Sequence, residues 1–203
     1  MSFIRSLLTI ALLSMAIQGY GQPECTLRKE EDGIKVYACD SELSKLRSIK
    51  AVFTIETTMD HIIKVILNVD NYINWQYNTI NAHVVKMISD TELIYYSEVA
   101  APWPISNRDL VIHLSIQNDI SRGSVVVSTN SVPDYIPHKK GIVRVPMSKA
   151  QWIIKPITDS LVSVEYTMLI NPGGSVPVWM VNLVVVEAPY KSFKDFKKMI
   201  FHP

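Results

Sequence analysis

The chain has 203 residues, with 20 Lys and Arg against 19 Asp and Glu, a formal net charge of +1. That balance supplies no long-range field for nucleic acid or for a strongly anionic membrane. A 48% hydrophobic content with 4 Trp excludes disorder, and 7 Gly and 11 Pro exclude collagen-like and low-complexity sequence.

Residues 1–21 read as a secretory signal peptide. Arg5 is their one charge, residues 7–17 are apolar, and Gly19 and Gly21 stand at −3 and −1 of a cut before Gln22. The apolar stretch is about half of the roughly 20 residues that a membrane span needs. An uncleaved N-terminal anchor is the alternative. The rest, residues 22–203, reads as one domain without repeats or linkers, large enough to enclose a cavity.

Cys25 and Cys39 flank a hairpin signal, with Asp32-Gly33 as its turn. A three-residue loop at 31–33 sets Glu30 opposite Ile34 and, further out, Cys25 opposite Cys39. That register predicts a disulfide formed in an oxidising compartment, contributing up to about 3 kcal/mol. A register slipped by one leaves two free thiols instead. The absence of a C-x-x-C motif argues against redox catalysis.

Residues 48–57 alternate as a strand. A helix then starts at Thr58 and Asp60, with Ile62, Ile63, Ile66 and Leu67 as its buried face. A second, shorter helical turn covers 72–75. Strands follow at 81–88, 92–100, 109–118, 123–131, 142–155 and 160–170, joined by turn residues as in an antiparallel meander. The C-terminal segment is helical: Ser175 suits its N-cap and Pro177 its first turn, 176–186 carries no charge, and Lys191, Lys194, Lys197 and Lys198 suit its end. Pro189 should kink it, and Phe193, Phe196 and Ile200 share one side. The class is α+β. A curved antiparallel sheet of about nine strands wraps around one long C-terminal helix, with two short helices after the third strand. An incompletely filled concavity in such a sheet holds a small apolar ligand.

The stretch "SEVAAPWPISNRDLVIHL" resembles the strand–loop–strand of START domains, closest to the phosphatidylcholine transfer protein subgroup. Its elements are Glu98, Pro102-Trp103-Pro104 and Ser106-Asn107-Arg108-Asp109. Further resemblance lies in "GIVRV" at 141–145, "WIIKP" at 152–156, "NPGGSVPVWMVN" at 171–182, the first hairpin and the aromatic segment ending at Trp75. The similarity spans nearly the whole of 22–203.

The resemblance implies a helix-grip fold whose internal cavity binds or transfers lipid without chemistry. It implies no catalytic residue, cofactor or metal, and its partners would be a lipid ligand and a membrane met transiently by a monomer. Tyr96, Glu98, Arg108, Leu110, Ile112, Leu114, Trp152, Val181 and Val185 are the expected cavity residues. Trp103, Pro104, Ile105, Val178 and Trp179 are the expected gate and membrane contact. With the signal peptide, the family reading places the protein in a periplasm or secreted, as an exported bacterial-type member.

Two departures from the family pattern bear on the ligand. No helix precedes the first hairpin. The Arg that holds a lipid phosphate in the phosphatidylcholine binder is Leu114 here, and its accompanying acid is Asn118. A charge-assisted bond of about 1.5–3 kcal/mol is thereby lost. The expected ligand shifts to a less charged lipid: a fatty acid, a sterol-like terpenoid or a glycerolipid. By period two Arg108, Leu110, Ile112, Leu114 and Ile116 share one face and His113 points away. Glu98, if buried, is protonated or hydrogen-bonded. Arg108 is expected to hold the loop by pairing with Asp109 or an edge group, with pairing to Glu98 as the alternative.

Enzyme signals are sparse. Five His are scattered without metal spacing, G-x-S-x-G is absent, and Gly173-Gly174-Ser175 reads as a tight strand-to-helix turn more readily than an anion site. The related polyketide aromatase/cyclases leave a cyclase or hydrolase as the alternative, with Glu98 or Tyr96 as proton donor. A lipid-sensing module for a protein partner is the third reading.

Overall fold

A computed structural model of the chain describes residues 24–39, 48–174 and 186–201. Residues 1–21, expected to be a signal peptide, lie outside the described residues, as do Ser175, Pro177, Val178, Trp179, Val181 and Val185.

The hairpin of β1 (Cys25–Glu31) and β2 (Ile34–Cys39) corrects the expected loop. Asp32 and Gly33 both take positive φ, 53° and 71°, so a two-residue turn suffices and Glu31, not Glu30, lies opposite Ile34. Carried outward unchanged, that register would miss Cys39. A bulge between Leu27 and Lys29 removes the offset and restores Cys25 opposite Cys39. Their Cα atoms are 4.0 Å apart and the disulfide forms.

β3 (Ser48–Glu56) pairs with β2, and α1 (Met59–Leu67) follows. The Thr58 hydroxyl caps α1 by accepting the His61 N–H at 3.3 Å. Its buried face is Ile62, Val65 and Ile66, with Ile63 and Leu67 half-buried, so Val65 was missed in the expected set. A 3₁₀ turn at Val69–Asn74 carries buried Val69 and Tyr72.

The remaining strands are β4 (Thr79–Ser89), β5 (Glu92–Val99), β6 (Arg108–Asp119), β7 (Ser124–Ser131), β8 (Val143–Arg144), β9 (Met147–Thr158) and β10 (Leu161–Asn171). The sheet order is β1-β2-β3-β10-β9-β7-β6-β5-β4, antiparallel at every pairing on this path. It is not a plain meander. β3 turns to β10, and the helices carry the chain from β3 to the far edge at β4. The expected strand 142–155 divides at Pro146, which has no N–H to donate. Before it, β8 runs parallel to β6, and the N–H groups of Val143 and Val145 donate to the carbonyls of Asn107 and Asp109, each at 2.9 Å.

Strand alternation builds the core. Ile34 and Val36 on β2, Ile49, Ala51, Phe53 and Ile55 on β3, Val162 and Val164 on β10 and Ile154 on β9 are all buried on the face that holds the helices. α2 (Ala188–Phe201) meets them with Tyr190, Phe193, Phe196 and Ile200. Pro189 lies in the first turn of α2, where a missing N–H is tolerated. A kink there would involve residues outside the described ones. No helix among the described residues is long and apolar enough to cross a membrane.

Candidate functional site

Helix and sheet do not fill the whole concavity. At one end Phe193 packs edge-on and Phe196 tilted against Trp152, with ring centroids 5.3 and 5.7 Å apart, and Trp75 closes edge-on on Phe196 at 5.1 Å. Above this aromatic floor the inward positions become small: Ser97 on β5, Thr129 on β7, Ser148 and Ala150 on β9. Thr129 and Ala150 are direct partners on the adjacent strands β7 and β9, Ser148 lies one same-face step along β9, and Ser97 lies beyond β6, opposite Leu110. Small side chains on adjacent strands leave volume that no other described side chain takes up. The result is a cavity of about 260 Å³, some twenty times what one water needs.

Its walls are Leu110, Ile112 and Leu114 of β6, Tyr95 and Val99 of β5, Tyr166, Met168 and Ile170 of β10, and Ala188, Pro189 and Phe193 of α2. Ala100, Ala101 and Pro102 of the loop between β5 and β6 line it as well. Beyond them Trp103 is 92% exposed. Among the described residues this Trp therefore has almost no packing partner. The Asn107 side chain holds the loop's two ends together, accepting the Ala101 N–H at 3.2 Å and donating to Glu98 at 3.0 Å.

Four polar atoms around the cavity are buried without a hydrogen-bond partner among the described residues: Trp75 Nε1, Thr79 Oγ1, Ser97 Oγ and Arg108 Nε. The tyrosines inside are poor acids. Burial raises the pKa of Tyr95, Tyr166 and Tyr72, so each stays neutral. No group of three or more His, Cys, Asp or Glu among the described residues could hold a metal ion.

The START domain family model matches residues 24–200. The chain belongs to the START domain family. A crystal structure of a STAR-related lipid transfer protein fragment from Xanthomonas axonopodis is similar at 35% identity with a TM-score of 0.80, over 88% of this chain and 99% of that one. An uncharacterised Pseudomonas aeruginosa protein is 29% identical over 198 residues, 96% of this chain and 97% of the relative. Mouse phosphatidylcholine transfer protein is 27% identical over 177 residues, 83% of this chain and 80% of its own length.

Within this START domain, Arg108, Leu110, Ile112, Leu114 and Trp152 line the cavity. Leu114 is 1% exposed, whereas Asn118 is exposed near the end of β6. Pro104 is exposed and Ile105 half-buried, in the loop beside Trp103. Val178, Trp179, Val181 and Val185 lie outside the described residues.

Tyr96 and Glu98 are corrected. Cavity-lining residues on β5 are Tyr95, Ser97 and Val99, so alternation turns Tyr96 and Glu98 to the outer face. There the Tyr96 hydroxyl donates to Glu98 at 3.1 Å, and the ring packs with Ile94 and Val111. Burial, and next the Glu98 acceptor, raise the Tyr96 pKa. Neither residue of the cyclase or hydrolase alternative lines this cavity.

Arg108 pairs with neither Glu98 nor Asp109; its Nη1 donates to the Ser106 carbonyl at 2.6 Å, the loop-holding contact among the expected alternatives. Asp109 faces outward and takes a bidentate bond from Arg144, Nε to Oδ1 at 2.8 Å and Nη2 to Oδ2 at 3.0 Å, with both side chains buried. Arg144 also donates to the carbonyls of Pro133, Ile136 and Pro137, pinning the loop before β8 over the outer face. Sequence reading missed Arg144, although it lies inside the "GIVRV" motif. Gly173 completes this corner. At φ 69° it sits so close that a Cβ would meet Pro146 Cδ at 3.0 Å.

Proposed function

We propose that this START domain binds one lipid in the cavity between its sheet and α2 and carries it through the aqueous space outside the cytoplasm. The observation that carries this reading is the apolar cavity of about 260 Å³, lined in part by the loop residues Ala100, Ala101 and Pro102, with the next residue, Trp103, 92% exposed to solvent. Apolar walls suit acyl or terpenoid chains. The loop bearing Trp103 and Pro104 provides a membrane anchor beside the cavity, since an exposed indole prefers the headgroup level of a bilayer. The family supports lipid transport in general, and the Cys25–Cys39 disulfide suits an oxidising compartment. The export reading rests on residues 1–21 of the sequence.

Transfer of a fluorescent acyl lipid between donor and acceptor vesicles tests this. Burying one large apolar side chain is worth about 1.5–3 kcal/mol. Trp103→Ala should therefore slow transfer by about tenfold or more, while equilibrium binding and thermal stability stay at wild-type values. A wild-type protein that accelerates no transfer would reject the carrier reading. Undiminished transfer by Trp103→Ala would reject the anchor.

A further inference from the structure

Among the described residues lining the cavity, Arg108 is the one charged side chain. Alternation strips this face of acids: Glu98 and Asp109, its neighbours across and along the strands, both point outward and are occupied by Tyr96, Asn107 and Arg144. The guanidinium makes one hydrogen bond, Nη1 to the Ser106 carbonyl at 2.6 Å, and forms no salt bridge among the described residues. Its Nε is buried and unpaired. Two further orphans share its surroundings. Thr79 pairs with Val99 and Val99 with Arg108, so Thr79 and Arg108 occupy one rung across β4, β5 and β6. Ser97 lies one same-face step along β5. Thr79 and Ser97 are 6% and 3% exposed, and both hydroxyls lack partners.

Building on the lipid-binding reading, we propose that Arg108, Thr79 and Ser97 form the headgroup site, and that it selects a lipid ending in an oxyanion: a carboxylate or a phosphomonoester. Orphaned buried donors around a lone cation cost free energy until an acceptor meets them. An oxyanion satisfies all three, with the planar guanidinium taking two oxygens at once. Burial lowers the pKa of Arg108, the direction expected of a cation short of a counter-charge. The acyl chain then runs along Leu110, Ile112 and Leu114 toward Trp152. This differs from a clamp further along β6, where Leu114 offers no charge.

The test compares the purified protein with Arg108→Gln at pH 8. The probes are palmitate, methyl palmitate, lysophosphatidic acid and monoacylglycerol, read by displacement of a fluorescent fatty acid or by calorimetry. A charge-assisted bond corresponds to about ten- to hundredfold in affinity. Wild type should favour an anionic lipid over its uncharged counterpart by that factor. Arg108→Gln should lose the preference while holding the uncharged lipids as wild type does, which also demonstrates an intact fold. A preference among anions for palmitate identifies a carboxylate head, and one for lysophosphatidic acid a phosphomonoester. Equal wild-type affinity for charged and uncharged lipids, or an unchanged preference in Arg108→Gln, overturns the headgroup site and leaves lipid binding standing. Failure of wild type to bind any of the four overturns the lipid-binding reading and this site with it.

Discussion

Arg108 and Asp109 are neighbours in the chain, and the pleat of β6 sends them to opposite faces. One lines the cavity without a counter-charge, and the other is locked to Arg144. Removing one member of a buried pair strands the other in a medium that solvates it poorly, at a cost of about 3–5 kcal/mol. Arg144→Met should therefore lower the urea midpoint steeply and free the loop that Arg144 holds. An unfolding free energy within about 1 kcal/mol of wild type by linear extrapolation would show that the pair does not anchor the fold. The motif around Arg108 was legible in the sequence, and so was the period-two face of Arg108, Leu110, Ile112 and Leu114. Which arginine meets Asp109 was not, because the answer depends on a loop folding back from 35 residues away in the chain. The outward turn of Tyr96 and Glu98 was available in principle. With Val99 opposite Arg108 the same alternation excludes both from the cavity, but strand register is not written in either strand alone.

At the scale of elements, the hairpin turn serves a second purpose. Asp32 accepts hydrogen bonds from Tyr190 Oη and Lys194 Nζ, each at 2.7 Å, and its carbonyl accepts from Lys197 at 3.1 Å. The β1–β2 turn thus clasps α2 against the sheet. Lys194 first, then Tyr190, hold the Asp32 pKa below the usual aspartate value. A carboxyl depressed in the folded state stabilises above its unfolded pKa, and that contribution is lost as pH falls through the folded value. Hydrogen exchange of α2, corrected for intrinsic rates, should rise below about pH 4. In Asp32→Asn it should be raised at neutral pH and lack that acid step. A variant whose α2 exchanges like wild type at neutral pH would contradict the clasp. The disulfide partners were legible from facing positions and an oxidising context. The route to them was not: a two-residue turn and a compensating bulge yield the same pairing as the three-residue loop expected from sequence. Likewise Pro146 marks the division of β8 from β9, but its parallel return to β6 is a tertiary choice.

Among the described residues the sheet grips a helix and leaves a cavity in its groove, and composition alone could not show where. The decisive residues are small and inconspicuous: Ser97, Thr129, Ser148 and Ala150. Filling this space should abolish binding without unfolding the protein, since a cavity accepts added volume that a packed core would not. Ala150→Trp should cut lipid uptake about tenfold or more, a factor equal to roughly 1.4 kcal/mol, with its melting temperature near that of wild type. Full uptake would place the ligand elsewhere. The most direct test of the central claim is native mass spectrometry of the protein purified from its own host, followed by organic extraction of whatever is bound. The account predicts about one lipid per chain, ending in a carboxylate or a phosphomonoester and retained in Trp103→Ala. A folded protein that carries no lipid, and takes up none when offered fatty acid, sterol or phospholipid, would contradict it.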